Sequence, residues 1–266
     1  PIVMVTSAQP VDVARSFRAV EAGALTLLEK PGAPGSPRFA ELADELVTTV
    51  KLMADVKLVR RRRRRASVPR SHVRLPERRT DLVAIGSSTG GPAALASLLK
   101  ELPPDLPVPV LIVQHIARGF DRGLAEWLDK VTPLSVRLAE AGRPLSPGEV
   151  LVGPHDRHLG VLGNGTAELS AAPAIGGHRP SATHLFSSVA RSYGARAMGV
   201  ILTGMGNDGA VGLLDLRSAG GVTVAQDKAS SVVYGMPREA VHLGAVDCIL
   251  PLQEIAPAIA RACRRP

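Results

Sequence analysis

The feature that most constrains the fold is an alternation that begins near residue 80 and continues to the end of the chain. Short, nearly continuous apolar runs alternate with longer segments whose apolar residues recur every three or four positions. Strands that are apolar along their whole length are covered on both faces, and helical crossovers join strands that run in parallel. The pattern therefore predicts an α/β fold, a doubly wound, mostly parallel sheet with helices on both faces.

The same periodicity predicts the individual strands and helices of this region. The predicted strands cover residues 82–85, 108–113, 150–153, 198–203, 222–226 and 246–250. The predicted helices cover residues 92–101, 119–130, 182–193, 209–219, 236–243 and 252–263. Residues 133–180 are richer in Gly, Pro and short β-like runs, which predicts a small β-hairpin excursion from the main sheet.

The first 55 residues carry a shorter pattern of their own. The runs "PIVMVTSA" and "ALTLLEKP" each predict a strand, and residues 10–22 between them have helical spacing. From Phe39 onward, apolar residues again recur every three or four positions. This spacing predicts an amphipathic helix that runs toward an arginine-rich segment.

The net charge of +8 at pH 7 arises in that arginine-rich segment. Residues 57–79 hold eleven Lys or Arg and the single acid Glu77, so the net charge of this segment is about +10 and that of the rest of the chain is about −2. Dense like charge interrupted by prolines predicts an extended linker, and a docking arm for nucleic acid or an acidic partner is the alternative. The segment has no aromatic side chain to stack on bases, so we expect no nucleic-acid partner.

The composition narrows the expected cellular setting. The 266 residues contain no continuous apolar run near 18 residues and no charged opening followed by an apolar stretch. We therefore expect neither a membrane span nor a secretory signal. Two cysteines are too few for a disulfide framework, and a reducing cytoplasm is the expected location.

Polar side chains follow three of the predicted strands at the points where the strands end. The first strand ends in "GSSTGG", the second in Gln114 and His115, and "GVILTGMGNDG" ends in a loop with Met205, Asn207 and Asp208. In open parallel sheets, ligands bind beyond the carboxyl ends of the strands. A hydroxyl, an imidazole and a carboxylate at three such ends are the components of a serine hydrolase triad.

Each of these residue types meets a chemical need. A serine hydroxyl requires a base to take its proton, His115 can do this near neutral pH, and Asp208 would fix the imidazole tautomer. Ser88 satisfies the G-x-S-x-G spacing, whereas Ser87 stays open on chemistry alone. Phosphate binding at the start of the next helix is the competing function, although the lysine of a P-loop is missing. If these residues have no catalytic or binding role, they form a tight turn, a structural histidine and a loop carboxylate.

Two histidine-containing segments farther along are also candidates for sites. Residues 155–158, "HDRH", offer possible metal ligands, but their spacing matches no closed zinc set, so we expect a loop and no metal. His178 and Arg179 precede a helix whose expected cap is Ser181. This basic pair could contact an acidic substrate or line a turn, and the spacing does not decide between them.

The quoted stretches together resemble one family. "AIGSSTGGP", "IVQH", "GHRPS", "GVILTGMGNDGA" and "AQDKASSVVYGMPREA" occur in the order found in chemotaxis receptor methylesterases, the CheB family of protein-glutamate methylesterases and glutamine deamidases. The resemblance covers residues 80–266. It implies a serine hydrolase that removes methyl esters from glutamate side chains of chemoreceptors and deamidates specific glutamines in chemotactic adaptation. It implies no metal and no organic cofactor.

The resemblance also implies roles for individual residues. In this family the serine directly before the threonine of "STGG" is the nucleophile, which selects Ser88 over its neighbour. His115 is implied as the base and Asp208 as the carboxylate that supports it. Thr89 and Met205 are implied to support the oxyanion and the substrate. None of the quoted motifs departs from the family pattern, so we expect an active enzyme.

Residues 1–31 resemble the last third of a response-regulator receiver domain, in which Thr6 corresponds to the switch hydroxyl and Lys30 to the lysine. The phospho-accepting aspartate and the acidic pair for magnesium would lie upstream, so we expect no phosphorylation site in this chain. The implied substrate is a methylated cytoplasmic helix of a chemoreceptor. A histidine kinase of the chemotaxis array is an implied partner if the full receiver domain is present.

The expected organisation has four parts. Residues 1–37 are a receiver-like fragment, 38–58 an amphipathic helix, 59–79 an Arg-rich linker and 80–266 the catalytic domain. Two other classes of function stay open at this point. One is a hydrolase of small esters or amides on the same fold, and the other is a non-catalytic binding module whose triad residues lie too far apart to cooperate.

Overall fold

The computed structural model describes residues 1–7, 10–55 and 79–264. The Arg-rich linker expected at 59–79 therefore lies outside the described residues, apart from Arg79. In the first part of the chain, β1 (Val3–Thr6) and β2 (Thr26–Glu29) form a parallel pair joined by α1 (Pro10–Glu21). Helix α2 (Phe39–Asp55) follows them and lies within the segment expected to be an amphipathic helix.

The rest of the described chain is built around a seven-stranded parallel sheet and a separate hairpin. The strands are β3 (Leu82–Ser87), β4 (Val110–Gln114), β5 (Ser135–Leu138), β6 (Glu149–Val152), β7 (His158–Val161), β8 (Ala167–Ser170), β9 (Ala197–Ile201), β10 (Val222–Gln226) and β11 (Cys248–Leu250). The helices are α3 (Gly91–Lys100), α4 (Asp121–Val131), α5 (Ala182–Tyr193), α6 (Ala210–Ser218), α7 (Met236–His242) and α8 (Leu252–Cys263).

The order of the strands confirms the predicted doubly wound fold. The main sheet runs β11–β10–β9–β3–β4–β6–β5, and all its neighbouring strands are parallel. From β3 the chain adds β4 on one side, and it later returns to add β9 on the other. The strand order therefore reverses between β3 and β9. Ligands of such folds bind at this switch point, beyond the carboxyl ends of the strands.

Two apolar layers cover the faces of the sheet. Val83 and Ile85 of β3 pack with residues of α3, α4 and α8 on one face. Leu82 and Ala84 pack with residues of α5, α6 and α7 on the other. All six residues of β3 are buried, as expected for a central strand covered on both sides. This double burial is why the sequence shows the strand as one continuous apolar run.

The predicted excursion is an antiparallel hairpin of β7 and β8 that packs against α5. Strand β5, which pairs with β6 at the edge of the main sheet, is not among the strands predicted from the sequence. Exposed residues alternate with better-covered ones along β5, so this edge strand lacks the continuous apolar run that marks the central strands. The loop expected at 155–158 is wrong for His158, which is buried and begins β7.

The N-terminal segment packs against the main domain through α1. Phe17 is buried, and its ring stacks on Trp127 of α4 with the two centroids 5.3 Å apart. The Trp127 indole N–H also donates a hydrogen bond of 2.6 Å to a carboxylate oxygen of Glu21. Apolar residues of α1 therefore join the same layer as α3 and α4.

Cys248 and Cys263 are both buried free thiols, and burial raises the pKa of Cys263 to about 12. Within residues 1–7, 10–55 and 79–264, no helix has the length and apolar character needed to cross a membrane.

Candidate active site

The candidate nucleophiles and the candidate base lie at the ends of adjacent strands. The pairing of β3 with β4 puts Ser87 opposite Gln114. Ser88 and His115 are the next residues along each strand, and the His115 N–H donates a hydrogen bond of 2.9 Å to the Ser87 carbonyl oxygen. Neighbouring strands lie about 4.8 Å apart, so the backbones of Ser88 and His115 are side by side at the switch point.

Burial separates Ser88 from Ser87, which chemistry alone leaves open as a nucleophile. The Ser87 side chain is fully buried, and its Oγ donates a hydrogen bond of 2.6 Å to Gln114 Oε1. Ser88 is partly exposed. A hydroxyl that is buried and bonded to an amide oxygen is not accessible to a substrate, so the geometry favours Ser88.

Gln114 ties the two strand ends together. Its Nε2 donates to the carbonyl oxygen of Ser88 at 2.8 Å and to that of His115 at 2.7 Å. A Cβ on Gly91 would lie only 1.9 Å from Gln114 Oε1, so the helix that follows Ser88 can approach this amide only with glycine there. This role of Gln114 was not predicted from the sequence, where Gln114 stands out only as the neighbour of His115. One sequence feature could have predicted it: an apolar, buried strand ends in the amide of Gln114, and buried polar atoms need hydrogen-bond partners.

The chain that follows β9 lies on the other side of Ser88. The Ser88 N–H donates to the carbonyl oxygen of Thr203 at 3.0 Å, and Thr203 Oγ1 donates to the carbonyl oxygen of Thr89 at 2.9 Å. One residue later, a Cβ on Gly204 would lie 2.8 Å from the Ser88 Cβ. The loop is therefore in contact with the candidate nucleophile, and its next residue, Met205, is 41% exposed.

The same loop brings Asp208 to His115. His115 Nε2 lies 2.8 Å from Asp208 Oδ2, and Asp208 is buried. Three further donors come from the start of α5, namely Ser181 Oγ at 2.6 Å and the backbone N–H groups of Ala182 at 2.6 Å and Thr183 at 3.1 Å. The first N–H groups of a helix have no partner within the helix and form its positive end, so they suit a carboxylate.

These donors keep Asp208 ionised. Burial raises its pKa, but the hydrogen bond to His115, the charge of that ring and the bonds from Ser181 and Ala182 outweigh burial. The net result is a pKa well below the usual range of an aspartate. Because an ionised carboxylate only accepts hydrogen bonds, His115 Nε2 carries the proton.

The other ring nitrogen of His115 is then the acceptor in the neutral form. His115 Nδ1 is buried and has no hydrogen-bond partner among the residues that the structure describes. An unpartnered, buried acceptor next to the end of β3 is available to take a proton from a hydroxyl group. The arrangement therefore supports activation of a serine for acyl transfer.

A second imidazole covers the face of His115. The rings of His115 and His178 are parallel to within 4°, and their centroids are 3.9 Å apart. Arg179, which the sequence analysis considered together with His178, donates from Nε to Asp156 Oδ1 at 2.9 Å. Of this pair, only His178 therefore lies against His115, while the Arg179 side chain is bonded to other residues of the protein.

His158, one of the two histidines of the 155–158 segment, has a structural role near the site. His158 Nδ1 accepts a hydrogen bond of 3.2 Å from the Ser181 N–H, and its Nε2 lies 3.1 Å from the carbonyl oxygen of Pro173. His158 thus supports the start of the helix that holds Asp208. Across the three described ranges, no group of three or more His, Cys, Asp or Glu is arranged to bind a metal ion.

Comparison with known proteins gives this site a family context. The CheB methylesterase family profile matches residues 83–259. A protein-glutamate methylesterase/protein-glutamine glutaminase 4 of Myxococcus xanthus (strain DK1622) is 48% identical over 270 residues, which cover 99% of this chain and 76% of the relative. The protein-glutamate methylesterase/protein-glutamine glutaminase 3 of Anaeromyxobacter dehalogenans (strain 2CP-C) is 51% identical over 269 residues, covering 100% of this chain and 78% of the relative. The crystal structure of the Thermotoga maritima CheB methylesterase catalytic domain matches with a TM-score of 0.66 at 38% identity, over 68% of this chain and 97% of that chain.

Proposed function

The chain belongs to the CheB methylesterase family, and we propose that it is a serine hydrolase that removes methyl esters from glutamate side chains and deamidates specific glutamines. Both activities are named for relatives that are similar along nearly the whole chain. The observation that carries the proposal is the 2.8 Å contact between His115 Nε2 and Asp208 Oδ2, next to the strand end that holds Ser88.

In the proposed first half-reaction, Ser88 Oγ attacks the carbonyl carbon of the glutamyl methyl ester while His115 Nδ1 takes the hydroxyl proton. Asp208 holds the ring tautomer and stabilises the imidazolium that forms. When the tetrahedral intermediate collapses, the proton passes from His115 to the departing methoxy oxygen. Methanol leaves, and a glutamyl ester of Ser88 remains.

Water completes the reaction by the same route. His115 removes a proton from a water molecule whose oxygen attacks the acyl carbon, and it then returns that proton to Ser88 Oγ. The product is a free glutamate side chain. With a glutamine substrate the leaving group is ammonia instead of methanol, and every other step is the same.

We assign supporting roles to Thr89 and Met205 at the oxyanion and the substrate. Thr89 follows the proposed nucleophile, and its carbonyl oxygen is anchored by Thr203. Met205 lies partly exposed in the loop that contacts Ser88. These positions, beside the proposed nucleophile on two separate segments, support the assignment.

The proposed substrates are methylated cytoplasmic helices of chemoreceptors, and the proposed location is the cytoplasm. Every residue of the proposed site lies within 80–266, which we propose as the catalytic domain. We propose that residues 1–37 are a receiver-like fragment, 38–58 an amphipathic helix and 59–79 an Arg-rich linker. A histidine kinase of the chemotaxis array is a proposed partner when a complete receiver domain is present.

Release of methanol from a methylated receptor cytoplasmic fragment tests the proposal. We expect methanol release from the fragment and conversion of specific glutamines to glutamates, read by peptide mass spectrometry. Rapid turnover of free small methyl esters with none of the receptor fragment would indicate a different ester hydrolase. Binding of the fragment without turnover would indicate a non-catalytic module.

A further inference from the structure

The motif "AQDKASSVVYGMPREA" carries part of the family resemblance, but the proposed mechanism gives none of its residues a role. We propose that Thr203, held in place by residues of this motif, is a positioning residue for Ser88, and that its hydroxyl fixes the turn that carries the proposed nucleophile. This inference rests on the proposed function, because it takes Ser88 as the nucleophile. Thr203 would act through the backbone of the turn and need not contact the substrate.

Hydrogen bonds hold the peptide units on both sides of Ser88. In the unit before it, the Ser87 carbonyl oxygen accepts from the His115 N–H at 2.9 Å. The Ser88 N–H of the same unit donates to the Thr203 carbonyl oxygen at 3.0 Å. In the unit after it, the Ser88 carbonyl oxygen accepts from Gln114 Nε2 at 2.8 Å. Because each peptide unit is planar, fixing both of them fixes the direction of the Ser88 Cα–Cβ bond.

The Thr203 hydroxyl holds the next peptide unit along the turn. Its Oγ1 donates to the Thr89 carbonyl oxygen at 2.9 Å and accepts from the Val233 N–H at 3.0 Å. The Val233 carbonyl oxygen lies farther from Oγ1, at 3.3 Å, and already accepts a hydrogen bond from the Gly204 N–H. Since a hydroxyl has one proton to donate, the shorter bond to Thr89 is favoured. Thr203 therefore binds the turn both before and after Ser88.

Gln226 of the motif holds Thr203 from the side opposite Ser88, because β9 lies between β10 and β3 in the sheet. The Thr203 N–H donates to Gln226 Oε1 at 2.8 Å, and Gln226 Nε2 donates to Ser230 Oγ at 3.2 Å. Ser230 Oγ also accepts from the Leu252 N–H at 3.0 Å, at the start of α8. Thr203 and Gln226 are both buried, so each needs these partners for its polar atoms.

Apolar atoms of the motif and of Thr203 pack against the same turn. Gly90 has a φ of 79°, and a Cβ there would lie 2.7 Å from Val232 Cβ and 3.3 Å from the Thr203 methyl carbon. The turn therefore approaches both side chains closely, with no room for a side chain at Gly90. Thr203 thus packs on the turn with its methyl group and bonds it with its hydroxyl, and the two contacts can be removed separately.

Two substitutions separate the hydroxyl from the methyl group. Thr203→Val keeps the packing but leaves the Thr89 carbonyl oxygen and the Val233 N–H without their side-chain partner, whereas Thr203→Ser keeps the hydroxyl and loses the methyl group. We expect Thr203→Val to lower kcat for methanol release by about 10- to 100-fold because a misplaced nucleophile is costly, with KM changed less than about threefold. Thr203→Ser should retain kcat within about threefold of the parent chain.

Thr223→Val is the matched control. Thr223 is also a buried threonine, and its Oγ1 donates to Asp247 Oδ2 at 3.0 Å and accepts from the Asp247 N–H at 3.0 Å. It lies near the amino end of β10, whereas Gln226 ends that strand. The two Val variants lose one donated and one accepted bond each, so their thermal melts should shift by similar amounts. Only Thr203→Val should lose activity, and kcat of Thr223→Val should stay within about twofold at a temperature where all variants are native.

A fluorophosphonate that reacts with activated serines keeps this test separate from the proposed function. The proposal predicts that Thr203→Val slows labelling of Ser88 as much as it slows methanol release, and that Thr203→Ser restores labelling. Equal impairment of the Val and Ser variants, equal kcat in the two Val variants, or a raised KM at constant kcat would each overturn the positioning role. Labelling that depends on the Thr203 hydroxyl in a chain that releases no methanol would support positioning and contradict the proposed substrate.

Discussion

The reactivity of a serine hydroxyl depends on the protonation of one neighbouring nitrogen, and in the proposed mechanism that nitrogen is His115 Nδ1. Asp208 determines the protonation of Nδ1 from the other side of the ring. Its ionised carboxylate requires a proton on Nε2, which leaves Nδ1 as the acceptor. The neighbouring hydroxyl of Ser87 is occupied by Gln114, while Ser88 is partly exposed. Single atoms, rather than residue types, therefore distinguish the proposed nucleophile and base from their neighbours.

Asp208→Asn should reduce kcat by a factor on the order of 10⁴, because a neutral amide does not enforce the required tautomer or stabilise the imidazolium. Steady-state methanol release measures this. The amide nitrogen would also face N–H and O–H donors at the start of α5, so some loss of stability is expected at neutral pH. A variant that retained more than about a tenth of the activity would contradict the role of Asp208.

The same substitution makes a prediction about acid stability. The pKa of Asp208 is lowered by folding, so its ionisation contributes stability above the unfolded pKa of about 4, and this contribution is lost as pH falls toward the folded pKa. The free energy of unfolding of the parent chain should therefore decrease on acidification below about pH 4. In Asp208→Asn this decrease should be shallower, as urea titrations at several pH values would show. Parallel curves would contradict the inferred ionisation of Asp208.

At the scale of elements, the site is assembled where the ends of three parallel strands meet the beginning of one helix. β3 and β4 present Ser88 and His115, and the loop after β9 carries Asp208 to the N-terminus of α5. The continuous apolar runs of the sequence predict these strands. A strand that is buried on both faces has apolar residues at successive positions, not polar and apolar residues in alternation. Pairing of α5 with the Asp208 loop was not predictable, because it joins segments whose contact no local periodicity encodes.

Ser181→Ala tests the contribution of the helix start. The change removes the O–H donor to Asp208 and the oxygen that accepts a 3.3 Å hydrogen bond from the His184 N–H. We expect a loss of about 1 kcal/mol in the free energy of unfolding and a fall in kcat smaller than that of Asp208→Asn, since two backbone donors remain.

Ser187→Ala is the control on the same helix. The Ser187 hydroxyl donates a bond of the same kind, 2.6 Å long, to Asp215, outside the proposed site. Thermal melts and kcat measured side by side should show an activity loss only for the Ser181 variant. Equal kcat values for the two variants would mean that the helix cap does not act on Asp208.

At the scale of the whole molecule, the two apolar layers and the N-terminal segment form one packed unit. Phe17 of α1 enters the same layer as α3 and α4, and it does so against Trp127. Sequence patterns predicted α1 and α4 separately, because each has helical periodicity. These patterns did not predict the contact between α1 and α4. Periodicity shows which face of a helix is apolar, but it does not show which other helix that face packs against.

Trp127 reports this contact, because it is the only tryptophan in the sequence. Phe17→Ala should reduce the free energy of unfolding by about 3 kcal/mol or more and shift the Trp127 emission to longer wavelength, as the indole loses its stacked neighbour and meets water. Arg18→Ala, an exposed position on the same helix, should change neither quantity. An unchanged emission spectrum in Phe17→Ala would mean that α1 does not pack on α4.

The most direct test of the account compares Ser88→Ala with Ser87→Ala in methanol release from a methylated receptor fragment. Loss of the proposed nucleophile should lower kcat by a factor on the order of 10³ to 10⁶. Loss of the buried neighbour removes only its bond to Gln114, so that variant should remain within about tenfold of the parent chain. Persistent turnover in Ser88→Ala, or a larger loss in Ser87→Ala, would contradict the assignment of Ser88 as the residue activated by His115 and Asp208.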